Sequence, residues 1–220
     1  MLVVVVDSAT PAVTAALAAL RPDGVEILAQ RVSVDARAHG ELLAPAVRGV
    51  LGDAGVKPGE LAAVVAGLGP GPFTGLRVGL VTAAALGHSL AIPTYGVCSL
   101  DALGWRQPGT VLAATDARRK ELYWALYADG ERITGPAVDR PDEVAGRAAA
   151  AGAERVVGEG AEKYDLGLPA GEPRYPSPEA LAALAADRVR GRAPGEPLTP
   201  LYLRRPDATL PGQPRKSVLQ

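Results

Sequence analysis

The stretch Val111–Gly130, VLAATDARRKELYWALYADG, repeats in outline the stretch Leu2–Leu20, LVVVVDSATPAVTAALAAL. Laying Asp116 on Asp7 sets an apolar strand before each aspartate. The same offset puts Leu122 opposite Val13 and Leu126 opposite Leu17. Both segments read as strand, aspartate-bearing turn, strand. Leu2 to Val6 is an unbroken apolar run, the pattern of a strand buried on both faces. Val13 to Leu20 and Gly24 to Val34 continue it as an antiparallel meander around the turn Arg21-Pro22-Asp23-Gly24.

An α/β chain that opens twice in this way points to the actin-like ATPase (ASKHA, ribonuclease H-like) architecture. There, two related βββαβα lobes each offer an aspartate-bearing phosphate loop. The echo divides the chain into a first lobe at residues 1–105, a smaller second lobe at 106–203 and a flexible tail at 204–220, where Pro206, Pro211 and Pro214 stand among polar residues. Between the strands, Glu41 to Leu51 spaces Leu42, Leu43, Ala46, Val47, Val50 and Leu51 as one helix face. Pro45 requires that helix to start near it or bend. Ala62 to Gly67 reads as a buried strand and Thr74 to Ala91 as a helix. In the Ala- and Pro-rich second half only a strand at Arg155–Val157 and a helix at Pro178–Val189 stand out, so the second lobe reads as short.

Length and composition leave one large domain or two small lobes open, at 220 residues with 48% hydrophobic residues. A formal net charge of -1 gives no general electrostatic footprint for nucleic acid. The single cysteine, Cys98, excludes an internal disulfide framework and suits a reducing compartment, with the cytoplasm as default. The start MLVVVVDSAT reads as a buried strand rather than a leader, and no segment is long and apolar enough to span a bilayer, so no membrane association is expected.

The loop GLGPGPFTG, Gly67 to Gly75, feeds a helix N-terminus and could cradle phosphate through its N–H groups. It lacks the lysine of a Walker loop and does not match a Rossmann turn, so a tight strand-to-helix connection explains it equally well. In the helix that follows, Gly75, Gly79, Ala83 and Gly87 recur every fourth residue and form one shallow ridge. Each mid-helix glycine costs about 1 kcal/mol relative to alanine, so close packing should offset it. That packing is either on the chain's own sheet or against another subunit. For the second reading the candidate interface comprises Leu43, Val47, Val50, Gly75, Leu76, Gly79, Leu80, Ala83 and Gly87.

Further motifs carry a family resemblance. GLGPGPFTGLRVGL resembles the GxGPGSFTGxRxG signature of the TsaB (YeaZ) family of bacterial tRNA threonylcarbamoyladenosine biosynthesis proteins, with Pro72 where Ser is usual. DSAT, HGELLAP, IPTYGVCSLDAL, ATDARRKELYWALY and PLYLR resemble further family segments, in order, over most of the chain. The resemblance implies the actin-like fold, within a glycoprotease M22-like group. It also implies a scaffold role in forming N6-threonylcarbamoyladenosine beside the anticodon of tRNAs that read codons starting with A. In the family this subunit pairs through its first two helices with a larger metal-containing paralogue, TsaD, which performs the transfer, while the ATPase TsaE binds the pair. Contact with tRNA is then expected only through the complex, and a homodimer on the same helices is a further expectation.

The residues themselves argue against catalysis by this chain. Metal-assisted transfer needs three or four clustered ligands, and the only histidines, His39 and His88, lie on separate segments. The paralogue's metal-binding stretch aligns with Ser99–Leu103, which lacks coordinating residues at the ligand positions, so no metal site is expected. No nucleophile elbow accompanies Ser89 or Ser99, and Cys98 reads as a core residue. The actin-like alternative is a stand-alone ATP-binding phosphotransferase or ATPase of the sugar-kinase class. Its candidate nucleotide residues are Asp7, Ser8, Thr10, Gly69, Gly71, Thr74 and Asp116, with no tightly bound cofactor expected and at most weak ATP or ADP with magnesium.

Overall fold

The computed structural model describes residues 1–204, and the tail expected from residue 204 lies, beyond Arg204, outside the described residues. The first sheet is built from β1 (Leu2–Asp7), β2 (Ala12–Arg21), β3 (Gly24–Val34), β4 (Leu61–Gly67) and β5 (Thr94–Val97), in the order β3-β2-β1-β4-β5. Helix α1 (His39–Asp53) joins β3 to β4, and α2 (Phe73–Leu90) joins β4 to β5; α3 (Ser99–Gly104) follows. The second sheet holds β6 (Thr110–Asp116), β7 (Leu122–Ala128), β8 (Glu131–Asp139), β9 (Arg155–Val157) and β10 (Ala170–Gly171), with β6 at its centre and β8 and β10 at its edges. Helices α4 (Pro141–Ala150) and α5 (Gly160–Lys163) occupy the places of α1 and α2, and α6 (Pro178–Arg190) closes the series. Both sheets run three antiparallel strands and then two parallel ones, the duplicated topology of the actin-like ATPase fold.

Each central strand is apolar because it is covered on both faces. Val4 and Val6 pack under α1 and α2, while Val3 and Val5 pack under Leu181, Ala185 and Val189 of α6. In the second sheet Leu112 and Ala114 lie under Val144 and Ala148 of α4, and Val111 and Ala113 lie with Leu100 and Leu103 of α3. The third helix of each series therefore crosses over. Helix α3, early in sequence, covers the second sheet, and α6, late in sequence, covers the first. Ser177 caps α6 by accepting from the Ala180 amide at 3.1 Å, with Pro178 pre-set at the first position and Arg188 and Arg190 in the last turn.

Helix α1 does not start at Pro45 but runs through it, with the ring on the exposed side, so the carbonyl it leaves without a helical partner faces water. The second lobe has as many strands as the first but shorter pieces: β9, β10 and α5 span three, two and four residues. Gly135-Pro136 interrupts the apolar pattern of strand β8, so its sequence carries no strand signal. As an edge strand it tolerates the missing donor.

The ridge of small residues on α2 faces inward. Gly75, Leu76, Gly79, Leu80, Ala83 and Gly87 are buried, as are Leu43, Val47 and Val50 of α1. Most of them share one core cluster with β1, β2 and β4. All nine residues taken from the sequence as a partner interface are thus packed within the chain itself. The cause is local. A Cβ on Gly79 would stand 2.5 Å from the Ser8 hydroxyl oxygen, and one on Gly87 would stand 2.5 Å from the Thr94 methyl carbon. The glycines admit the chain's own β1 turn and β5 to the helix axis, which is what offsets their cost.

Candidate functional site

Where β1 ends, Asp7 enters a fully enclosed position. Its Oδ2 accepts from the Ser99 hydroxyl at 2.6 Å and its Oδ1 from the Ala9 amide at 3.1 Å. Burial pushes this carboxyl up to about 6, against the lowering by the two donors and by nearby His39. Ser99 in turn accepts from the Gly69 amide at 3.2 Å, and the Ser99 amide donates to the Gly69 carbonyl at 2.7 Å. The glycine loop is therefore tied inward to Asp7 and the start of α3. Gly69 alone among Gly69, Gly71 and Gly75 takes a positive φ, +85°. Gly71 is required instead by the close passage of the Ala9 carbonyl.

Ser8 donates to the Gly75 carbonyl at 2.7 Å and accepts from the Gly79 amide at 2.9 Å. Thr10 accepts from the Ala12 amide at 3.2 Å, and its carbonyl meets His39 Nε2 at 2.8 Å. These residues form one wall of a cleft between the two sheets, of about 140 Å³, whose opposite wall is Asp116, Arg118 and Glu159. Of the candidate nucleotide residues, Ser8, Thr10, Thr74 and Asp116 line this cleft, whereas Asp7 and Gly69 lie beneath it and Gly71 opens on the neighbouring groove.

Asp116 is not the counterpart of Asp7. Asp7 pairs with Thr14, seven residues on, but Asp116 pairs with Leu122, six residues on. Side chains alternate along a strand, so Asp7 shares the face of Val3 and Val5, on the α6 side, while Asp116 shares that of Leu112 and Ala114, on the α4 side. The overlay of Asp116 on Asp7 is one residue out, and Thr115 holds the equivalent position, its buried hydroxyl oxygen without a hydrogen-bond partner among the described residues. The overlay of Val13 on Leu122 and Leu17 on Leu126 keeps the face, under α1 and α4 respectively. Asp116 instead receives Lys163 Nζ at 2.5 Å and the Arg118 amide at 3.0 Å.

Glu159, which the sequence did not single out, sits between Gly158 and Gly160 after β9, as Leu68 sits between Gly67 and Gly69 after β4. Its Oε1 accepts from the Asp116 amide at 3.2 Å, and its buried Oε2 has no hydrogen-bond partner among the described residues. Burial pushes this carboxyl up to about 7, the Asp116 amide opposing and the Asp116 charge adding to the rise.

The cleft is smaller than the usual small-molecule site of about 300–1,000 Å³, each Asp7 oxygen accepts one hydrogen bond from within the chain, and the Gly69 amide already has an acceptor. Among the described residues no group of three His, Cys, Asp or Glu is placed to hold a metal ion. Cys98 is buried, and burial pushes its thiol up to about 11, the state of an inert core residue. Beside the cleft lies a wider groove of about 770 Å³, bordered by Phe73, Arg77, Tyr202 and the β6–β7 turn. In that turn Arg118, Arg119 and Lys120 take φ of 61°, 54° and 60°, three successive left-handed residues that cost about 1–2 kcal/mol each.

The model of the family described as TsaD, tRNA N6-adenosine threonylcarbamoyltransferase, matches residues 26–184. A solved structure, YeaZ from Pseudomonas aeruginosa, is 30% identical and superposes with a TM-score of 0.75 over 92% of this chain and 99% of that one. This chain belongs to the TsaB/YeaZ family. A TsaB from Bacillus subtilis is 36% identical over 117 residues, 52% of this chain and 50% of its own length. An uncharacterized protein of Mycobacterium leprae is 51% identical over 207 residues, which cover 94% of this chain. The chain spans 56% of the length of that relative.

Proposed function

We propose that this protein is the non-catalytic subunit of a tRNA threonylcarbamoyladenosine transferase assembly, acting in the cytoplasm beside a TsaD paralogue and a TsaE ATPase. The name tRNA threonylcarbamoyladenosine biosynthesis protein belongs to its relatives and supports the pathway. The observation that carries the accessory role is the internal engagement of Asp7. The residue an actin-like ATPase would turn toward metal and phosphate is only 1% exposed, and each of its oxygens accepts a hydrogen bond from within the chain, from Ser99 and Ala9. Nucleotide at this cleft is accordingly absent or weak. Among the described residues no helix is long and apolar enough to cross a membrane.

The paired helices remain the proposed contact, but through their outward face. Ala44, Pro45 and Arg48 of α1 and Val81, Ala84, Ala85 and His88 of α2 are exposed, with Val81 at 65%. A second copy of this chain could use the same face in place of the paralogue.

Reconstitution tests the proposal. Threonylcarbamoyl-adenylate synthetase, TsaD and TsaE are combined with unmodified tRNA, threonine, bicarbonate and ATP, and modified adenosine is measured with and without this protein. Product that depends on its addition is expected. Equal product in both reactions rejects the role, and magnesium-dependent ATP turnover by the lone protein would favour the sugar-kinase alternative.

A further inference from the structure

We propose that the groove between Phe73, Tyr202 and the Arg118–Arg119 turn binds a nucleotide unit, a phosphate carried beside a planar base. The groove is the larger opening beside the cleft, and its volume of about 770 Å³ lies within the range of small-molecule sites, about 300–1,000 Å³. Arg77, Arg118, Arg119 and Arg204 line it, and among the described residues no carboxylate does. Arg204 is paired with Glu121, but the Arg118 guanidinium has no hydrogen-bond or ion-pair partner among the described residues. In a chain of net charge -1 this is a local concentration of cations.

The aromatic wall is already assembled. Phe73 and Tyr202 stack at 5.4 Å with an interplanar angle of 25°, yet they remain 54% and 42% exposed. Arg77 fixes both, lying 4.2 Å over the Phe73 ring and donating to the Tyr202 hydroxyl at 2.8 Å. A rigid platform of exposed rings beside cations is the arrangement on which bases stack while their phosphates are neutralised, and little ordering entropy is lost on binding. The left-handed φ of Arg118 and Arg119 carries two cationic side chains to this edge, a strained conformation without which the turn would point them elsewhere.

Either a free mononucleotide or an unpaired segment of RNA supplies this chemistry. The choice of RNA as first probe rests on the proposed role in tRNA modification, whereas the site rests on the groove alone.

The test is fluorescence anisotropy of fluorescein-labelled decaadenylate RNA with the isolated full chain at low salt. AMP and decaglutamate serve as competitors. Saturable binding is expected, weakened at least about fivefold by Phe73→Ala and by Arg118→Glu. Arg118→Glu should also reduce the slope of log affinity against log salt by about one or more, and Phe73→Ala should leave that slope unchanged. Phe73→Leu, which keeps the bulk over Tyr202, repeats the stacking test should the alanine variant melt early. Displacement by AMP at micromolar concentration assigns the site to free nucleotide, and failure of AMP to displace assigns it to RNA. The proposal is overturned if neither RNA nor labelled AMP binds saturably, if the variants bind as the wild type does, or if decaglutamate competes as well as RNA. Modified adenosine in the reconstituted reaction is read separately, so failure here leaves the accessory role standing, and the reverse.

Discussion

The Ser8 hydroxyl stands between the Gly75 carbonyl and the Gly79 amide, the two groups that an undisturbed helix pairs directly. That insertion needs glycine on both sides, and it shows how the polar turn after β1 serves packing before chemistry. Asp7 behaves likewise. Asp7→Ala should lower stability by about 2–4 kcal/mol in denaturant melts, because it leaves the Ser99 hydroxyl and Ala9 amide buried without an acceptor. A variant as stable as the wild type would instead return Asp7 to the role of a ligand contact. Glu159 makes a pH-dependent prediction. Its carboxyl is raised from 4.5 to about 7 on folding, so the folded state holds the proton longer than the unfolded chain does. Stability from this group is complete below about pH 4 and falls as pH rises to about 7. Glu159→Gln should therefore melt with the wild type near pH 4 and be the more stable of the two above pH 7, by up to about 3 kcal/mol. A less stable variant at pH 8 would mean that the charged carboxylate has a partner in the cleft.

At the scale of elements, α2 offers two faces with opposite expected responses to substitution. Gly79→Leu would drive a side chain into Ser8, and its cost falls on folding. Loss of the cooperative thermal transition, or a drop of several degrees in Tm, is the expected readout. Val81→Arg and Ala84→Arg point into solvent and should leave Tm within about 2 °C while abolishing co-elution with the TsaD partner. Normal assembly by both arginine variants would rule out the outward face of α1 and α2. The i, i+4 recurrence of small residues identified the ridge, but periodicity states only which residues share a face. Whether a sheet or another subunit covers that face depends on the β1 turn reaching it from some seventy residues away in the chain.

For the whole molecule, the two lobes are held together by elements that change sides, α3 and α6, and by the segment after α6. Leu198 packs with the first lobe's core, whereas Leu201 and Leu203 pack with the second's, and the Leu201 amide donates to the Leu68 carbonyl at 2.9 Å. A chain ended after Pro197 should lose about 2–4 kcal/mol of partly buried apolar contact. Its urea transition should broaden into two as the lobes unfold separately. A single sharp transition at the wild-type midpoint would show that the segment adds nothing. The sequence by itself determined the central strands, the α1, α2 and α6 helices and the duplicated order, because apolar period and turn residues are local properties. Even Gly24 to Val34 ends where its residues say it should. It was silent on β8 and α4, where Gly135-Pro136 and a run of alanines blur any period, and it put Asp116 one residue from its true register. Only the tertiary structure decided that Asp7 is sealed, that Glu159 closes the cleft and that Phe73 meets Tyr202 across the chain. Those outcomes depend on which surfaces come together and how much water they exclude, and burial of that kind is a property of the packed whole rather than of any stretch of residues.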